Sequence, residues 1–139
     1  GWLVLENNAS LTNVDGLAAL TSAKRIQIDN NSALSHVDGL VSLTTVREEL
    51  GIWNNESLTT TSGLASVVSV GFDVDIQGCP NLVTLGLSSL RIIGGDLIVR
   101  NNPALLQCQI CAVRHQLESL GGSLSAGGNA ADTCRNNCW

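Results

Sequence analysis

Four of the five cysteines crowd the C-terminal end of the chain, as Cys108-x-x-Cys111 and, 22 intervening residues later, Cys134-x-x-x-Cys138. Thiolates at that spacing suit two chemistries. They can ligate a zinc ion, or they can close two disulfides that tie a tail to the body of the fold. Four cysteines allow three disulfide pairings. The fifth, Cys79, stands alone in mid-chain. Groups suited to acid–base work are sparse. His36, in Ser35-His36-Val37-Asp38, reads as a variable turn position, and His115 reads as solvent-facing on a helix. Neither has a Ser or Cys partner at a recognisable spacing. Gly94-Gly95, Gly121-Gly122 and Gly127-Gly128 read as turns, not as a phosphate-binding loop. The expectation is a chain that is not an enzyme and holds no cofactor or metal.

The elements that must position these residues follow from composition and periodicity. The chain of 139 residues falls within the range of one domain. It has one Phe, no Tyr and no Met, so a core at 44% hydrophobic content must be built from Leu, Val, Ile and Ala. Small, uniform apolar side chains suit stacked layers. A net charge of −5 argues against nucleic acid, which needs a basic footprint. No apolar run approaches the roughly 20 residues of a membrane span, so no membrane insertion is expected. Gly1 leads directly into Trp2-Leu3-Val4-Leu5, a strand pattern rather than a leader.

Internal repetition decides the expected fold. Apolar pairs two residues apart occur at Leu3/Leu5, Ile26/Ile28, Leu50/Ile52, Val74/Ile76 and Leu97/Val99. Their first members are 23, 24, 24 and 23 residues apart. Three residues after each pair comes Asn8, Asn31, Asn55, Cys79 or Asn102, and three further on a Leu. Gly16-Leu17, Gly39-Leu40 and Gly63-Leu64 follow; the fourth turn has lost a residue, so Gly86-Leu87 sits one place early. Thr61 is a weak member of an otherwise apolar column. Alternation predicts strands with one buried face, which only stacked copies can bury. The Asn column predicts inward side chains bonding turn backbone, and Cys79, in the same column, a buried unpaired thiol. Asn8-Ala9-Ser10, Asn30-Asn31-Ser32 and Asn55-Glu56-Ser57 match the glycosylation pattern, but they arise from the repeat and are not read as modified.

With Leu3 and Leu5 inward, the outward residues are Val4 and Glu6, Gln27 and Asp29, Gly51 and Trp53, Asp75 and Gln77, Ile98 and Arg100. Trp53 is expected to project between Asp29 and Gln77, as a stacking surface for a sugar or an anchor for a protein. Trp53, Asp29, Gln77, Asp75 and Arg100 form the candidate ligand site. Glu49, Asp73, Asp75 and Asp96 cluster on neighbouring turns, a repulsion that either a cation or solvation must relieve.

The stretches Leu50-Gly51-Ile52-Trp53-Asn54-Asn55-Glu56-Ser57-Leu58 and Gly95-Asp96-Leu97-Ile98-Val99-Arg100-Asn101-Asn102-Pro103-Ala104-Leu105, with Val14-Asp15-Gly16-Leu17 and Val37-Asp38-Gly39-Leu40, resemble the receptor L domain. That is the leucine-rich-repeat-like module of the insulin and epidermal growth factor receptor families. The resemblance covers roughly residues 2–111. It implies an all-β-like solenoid, a right-handed β-helix of about five turns, in an extracellular protein that often binds a ligand. The chain lacks the cysteine-rich modules of the animal receptors and any evident N-terminal disulfide cap. Those departures point to a bacterial secreted or surface version, and no hormone-contact residue carries over.

Residues 1–107 are thus expected to form the solenoid and 108–139 its C-terminal cap. A helix over 109–120, with Ile110, Val113, Leu117 and Leu120 on one face, would be ended by Gly121-Gly122. An extracellular fold favours disulfides over zinc, with Cys108–Cys134 and Cys111–Cys138 the preferred pairing. The chain's end just after Cys138 reads as a natural C-terminus. The function expected is non-catalytic recognition or adhesion at the C-terminal, ligand-binding end of a secreted or surface protein, toward a protein or glycan on a cell surface. The alternative is a structural or fibre-tip domain, for which the expected partner is a second copy joined through the uncapped N-terminal turn.

Overall fold

A strand of four or five residues with one apolar face cannot bury that face alone, and the chain solves this by repetition. In the computed structural model, which describes residues 1–132, the apolar pairs lie on β1 (Trp2–Glu6), β3 (Arg25–Asp29), β5 (Leu50–Trp53), β7 (Val74–Gln77) and β9 (Leu97–Arg100). These strands are parallel and in register: Leu3 faces Ile26, Ile26 faces Leu50, Leu50 faces Val74, and Val74 faces Leu97. A second parallel sheet is built from two-residue strands β2 (Ser22–Ala23), β4 (Thr45–Val46), β6 (Ser69–Val70) and β8 (Ile92–Ile93). Between the sheets run loops carrying 3-10 turns at Asp15–Leu17, Asp38–Leu40 and Ser62–Leu64. Like residues from each turn stack into a common core, where Ile26, Ile28, Leu34, Leu40 and Leu43 have no exposed surface. Their first-turn equivalents Leu3, Leu5, Leu11, Leu17 and Leu20 are only partly buried. Gly39 and Gly63 let successive loops approach, since a Cβ at either would overlap the carbonyl of Val14 or Val37 in the turn before.

The bend after each long strand is made by a pair of residues with divided labour. The first of each pair, Asn7, Asn30, Asn54 and Asn101, takes the left-handed conformation at φ 57°, 54°, 54° and 56°. Asn tolerates that region better than other side chains, and Gly78 and Gly128 fill the same role at φ 66° and 71°. The second of the pair turns inward. Asn31, Asn55 and Asn102 are fully buried. Each sends its amide N–H to a strand carbonyl of the turn before: Asn31 to Leu5 (2.9 Å), Asn55 to Ile28 (2.9 Å) and Asn102 to Ile76 (3.0 Å). Their Oδ1 atoms accept the backbone N–H of Asn8, Asn31 and Cys79. The inward Asn column thus carries backbone bonds across a bend where strand pairing has stopped.

Cys79 sits in this column, buried and with a free thiol, as its position predicts. Its sulfur has no amide to offer Ile52; Sγ donates to the Gln77 carbonyl at 3.6 Å and takes bonds from the backbone and side chain of Asn55. Burial pushes the thiol above its ordinary range, against the smaller opposing effect of the Asn55 bonds. Thr61 is fully buried too, and the weak apolar column is explained by a bond: its Oγ1 accepts the Gly86 N–H at 3.1 Å, where the fourth turn is one residue short.

The C-terminal segment departs from expectation. The helix α1 spans Gln107–Gln116, not 109–120, and Leu117 is already extended at ψ 131°. Ser119–Leu120 instead forms β10 against β8, and Leu124–Ser125 forms β11 against β9. Among the described residues the sheet of the long strands therefore has a sixth, two-residue member beyond the five that the repeat predicts. Gly121 lies where Gly94 lies one turn earlier, as a turn glycine packed on the carbonyl of Gly94. Asn129 extends the Asn column: its Oδ1 accepts the Asn102 N–H (3.1 Å) and its Nδ2 donates to Val99 O (2.7 Å). Sheet register overrode helical periodicity at Leu117 and Leu120, because a strand there completes hydrogen bonds that a helix would leave open.

The column makes a stability prediction. Asn55→Ala strands the Asn31 N–H and the Ile28 carbonyl in the core and should cost about 3 kcal/mol in urea unfolding, against under about 1 kcal/mol for exposed Asn8→Ala. Cys79→Asn should raise the unfolding midpoint, because it restores an amide for Ile52.

Candidate functional site

The long sheet has an inner face committed to the core and an outer face free of it. Register places the outer residues in rows. Glu6, Asp29, Trp53, Gln77 and Arg100 form one; Val4, Gln27, Gly51, Asp75 and Ile98 form the next. Trp53 does lie between Asp29 and Gln77. It does not project. The outer edge of its indole rests over Gly51, in the space that a side chain at 51 would occupy. Trp53 is half-buried as a result. Gly51 was placed on this face by alternation, but its role as the seat of the ring was not legible, since nothing in the sequence shows which way a Trp folds.

The candidate residues fall into two groups. Trp53, Asp29, Asp75 and Gln77 share the middle of the face, joined by Gln27. Arg100 stands exposed at the β9 side, beside Gln77 in register. Cross-strand and local bonds hold the polar groups in place: Gln77 Nε2 donates to Asp75 Oδ1 (2.7 Å), Asn54 Nδ2 to Asp29 Oδ1 (3.1 Å), and Gln27 Nε2 to Glu6 Oε1.

The acidic cluster has an internal explanation. Glu49 pairs with Arg25. Asp73 Oδ1 accepts the backbone N–H of Asp96 at 2.7 Å, and Asp96 Oδ1 accepts that of Ser123 at 2.6 Å. Each of these carboxylates reaches across to the next turn above a glycine, Gly95 or Gly122, where a Cβ would collide with it. Two like charges are thus spent on backbone donors, as in a helix cap. Among the described residues no group of three or more His, Cys, Asp or Glu is arranged to hold a metal ion.

Away from the face, His36 Nδ1 lies 3.4 Å from Asp38 Oδ2 within its own turn. His115 lies in the last turn of α1. That helix closes the stack with two glutamines. Gln109 Oε1 accepts the Leu85 N–H (2.8 Å) and its Nε2 donates to Val83 O (2.6 Å), and Gln116 Nε2 donates to Leu87 O (2.5 Å) and Leu90 O (3.0 Å). Asp132 accepts the Cys108 N–H at 2.6 Å, capping the helix from a distant segment. Neither Cys108 nor Cys111 is a free thiol. The preferred pairing, Cys108–Cys134 with Cys111–Cys138, calls on Cys134 and Cys138, which lie outside the described residues. No described helix is long and apolar enough to cross a membrane. No family model, curated protein or solved structure matches the chain.

If the carboxylates serve the backbone, Asp73→Ala and Gly95→Ala should destabilise by similar amounts, about 1–3 kcal/mol, since either breaks the same bond. Neither calcium nor a chelator should move the melting temperature; a rise on adding calcium would mark a cation site instead.

Proposed function

We propose that the chain is a right-handed solenoid of the receptor L domain type and that it works outside the cell as a non-catalytic recognition module. The observation that carries this reading is the outer face of the long sheet: an indole at its middle, Trp53, seated on a glycine within a field of ordered amides and carboxylates, with a second, exposed indole, Trp2, at the β1 edge. Such a face costs little to order on binding, because its side chains already sit on in-register strands and already bond one another. The 23- and 24-residue recurrence, the parallel register and the left-handed Asn bends support the solenoid assignment. In this reading the cap is oxidised through Cys108–Cys134 and Cys111–Cys138, which fits an extracellular setting.

The recognition reading is tested by labelling the chain with a fluorophore and measuring its binding to a panel of bacterial, fungal and animal cells. The triple variant Gln27→Ala/Asp75→Ala/Gln77→Ala should bind at least about tenfold more weakly than the parent. Thr45→Ala/Ser69→Ala, on the second sheet, should bind as the parent does. Equal binding by parent and triple variant rules the face out.

The oxidised cap is tested by alkylation and mass measurement without reductant. The native chain should take up no label and the unfolded chain one, at Cys79. Uptake at four further sites after treatment with a chelator alone would point to zinc.

A second reading, assembly of copies, is favoured by the partly exposed Leu3, Leu5, Leu11, Leu17 and Leu20 at the β1 end. It predicts a concentration-dependent mass in sedimentation that Leu11→Glu abolishes; a monomer at all concentrations removes it.

A further inference from the structure

The seat of Trp53 on Gly51 favours one class of ligand. The indole lies back along the sheet, its outer edge over Gly51, and the residue as a whole is half-buried rather than sealed in the core. Amides and carboxylates stand one strand away on each side, at about 4.8 Å spacing. Gln27 and Asp75 flank Gly51, and Asp29 and Gln77 flank Trp53. Asp29 and Asp75 each commit Oδ1 to the bonds given above. A carboxylate has about four lone-pair sites, so both keep acceptor capacity.

An aromatic surface bordered by fixed polar groups matches the two-sided chemistry of a pyranose ring, with its apolar C–H face and its rim of hydroxyls. A protein partner is matched less well. Protein interfaces bury about 800 Å² a side around an apolar core, and on β3, β5 and β7 Trp53 is the one aromatic amid charged and amide side chains. The carboxylates beside the ring and the net charge of −5 oppose an anionic sugar. We infer that Trp53, lying over Gly51, is the stacking platform for a neutral glycan, with Asp29, Asp75, Gln27 and Gln77 bonding its hydroxyls. This inference rests on the outer face of the long sheet being the recognition surface.

The test titrates the 15N-labelled chain with cellohexaose, chitohexaose, mannohexaose and laminarihexaose while following the indole N–H of Trp53, assigned through Trp53→Phe. A saturable shift of that resonance with at least one sugar is expected. Trp53→Ala should weaken that binding at least about tenfold. Gly51→Ala, which keeps the indole but displaces it, should do the same without loss of the folded spectrum. Should Gly51→Ala not fold, Gln27→Ala/Asp75→Ala is the substitute, with the same loss expected. No shift with any of the four sugars, or shifts confined to other residues, overturns the proposal. On cells that bind the parent chain, periodate oxidation of surface sugars should abolish binding and protease treatment should not. Binding that survives periodate and is lost to protease means a protein partner: it sinks the glycan proposal and leaves the recognition face standing. Binding that the triple variant retains sinks the face itself.

Discussion

Buried backbone at a bend is the constraint on which the whole structure depends. Each long strand must stop pairing so that the chain can turn, and the groups freed there lie in the core, out of reach of water. Asn31, Asn55 and Asn102 resolve this by spanning two turns with one amide, accepting an N–H and donating to a carbonyl of the turn before. An unmet backbone group in the core costs about 1–3 kcal/mol, so the column fixes both the repeat length and the register. Once register is fixed, every apolar pair falls in line with its neighbours, and the core follows. A one-residue slip would turn all of them outward.

The same need shapes the end of the stack. In a further regular turn, backbone would meet Val83, Leu85, Leu87 and Leu90. Here α1 takes that place, leaving the Val83 side chain exposed, and two glutamine amides seven residues apart on the helix do what strand backbone does elsewhere. The chain beyond the helix returns to the repeat, with β10, β11 and Asn129 in their ordinary places. The helix is therefore an insertion of a different element into one turn, and the closure it provides is made of side chains.

On the outer face, polar groups are organised by the same spacing that builds the core. Asp73 and Asp96 bond the backbone of the next turn over a glycine, and Gly51 gives up its side chain to the indole of Trp53. Glycine in these positions is a matter of room: each removes one Cβ so that a neighbour's side chain can lie down on the sheet. A regular parallel sheet with a few such gaps presents an ordered surface, and the proposed recognition role draws on that order.

The sequence by itself determined the strands, their spacing, the inward Asn column and the burial of Cys79, because a period of 23 or 24 residues repeats the same local demands in each turn. It also carried a sixth copy: Leu117, Leu120, Gly121, Leu124, Ala126 and Asn129 each lie 27 residues after Leu90, Ile93, Gly94, Leu97, Val99 and Asn102. That copy reads as a helix and tail when its longer spacing hides the match, and Ile110, Val113, Leu117 and Leu120 do share a helical period. Only the tertiary structure decided between the two, because the unpaired backbone of β8 and β9 that draws Leu120 and Leu124 into strands exists only after the preceding turns have stacked. It also decided the posture of Trp53 and the partners of Asp73 and Asp96. Those depend on which side chains of neighbouring turns, more than twenty residues away, leave space or offer an N–H, and no local pattern records that.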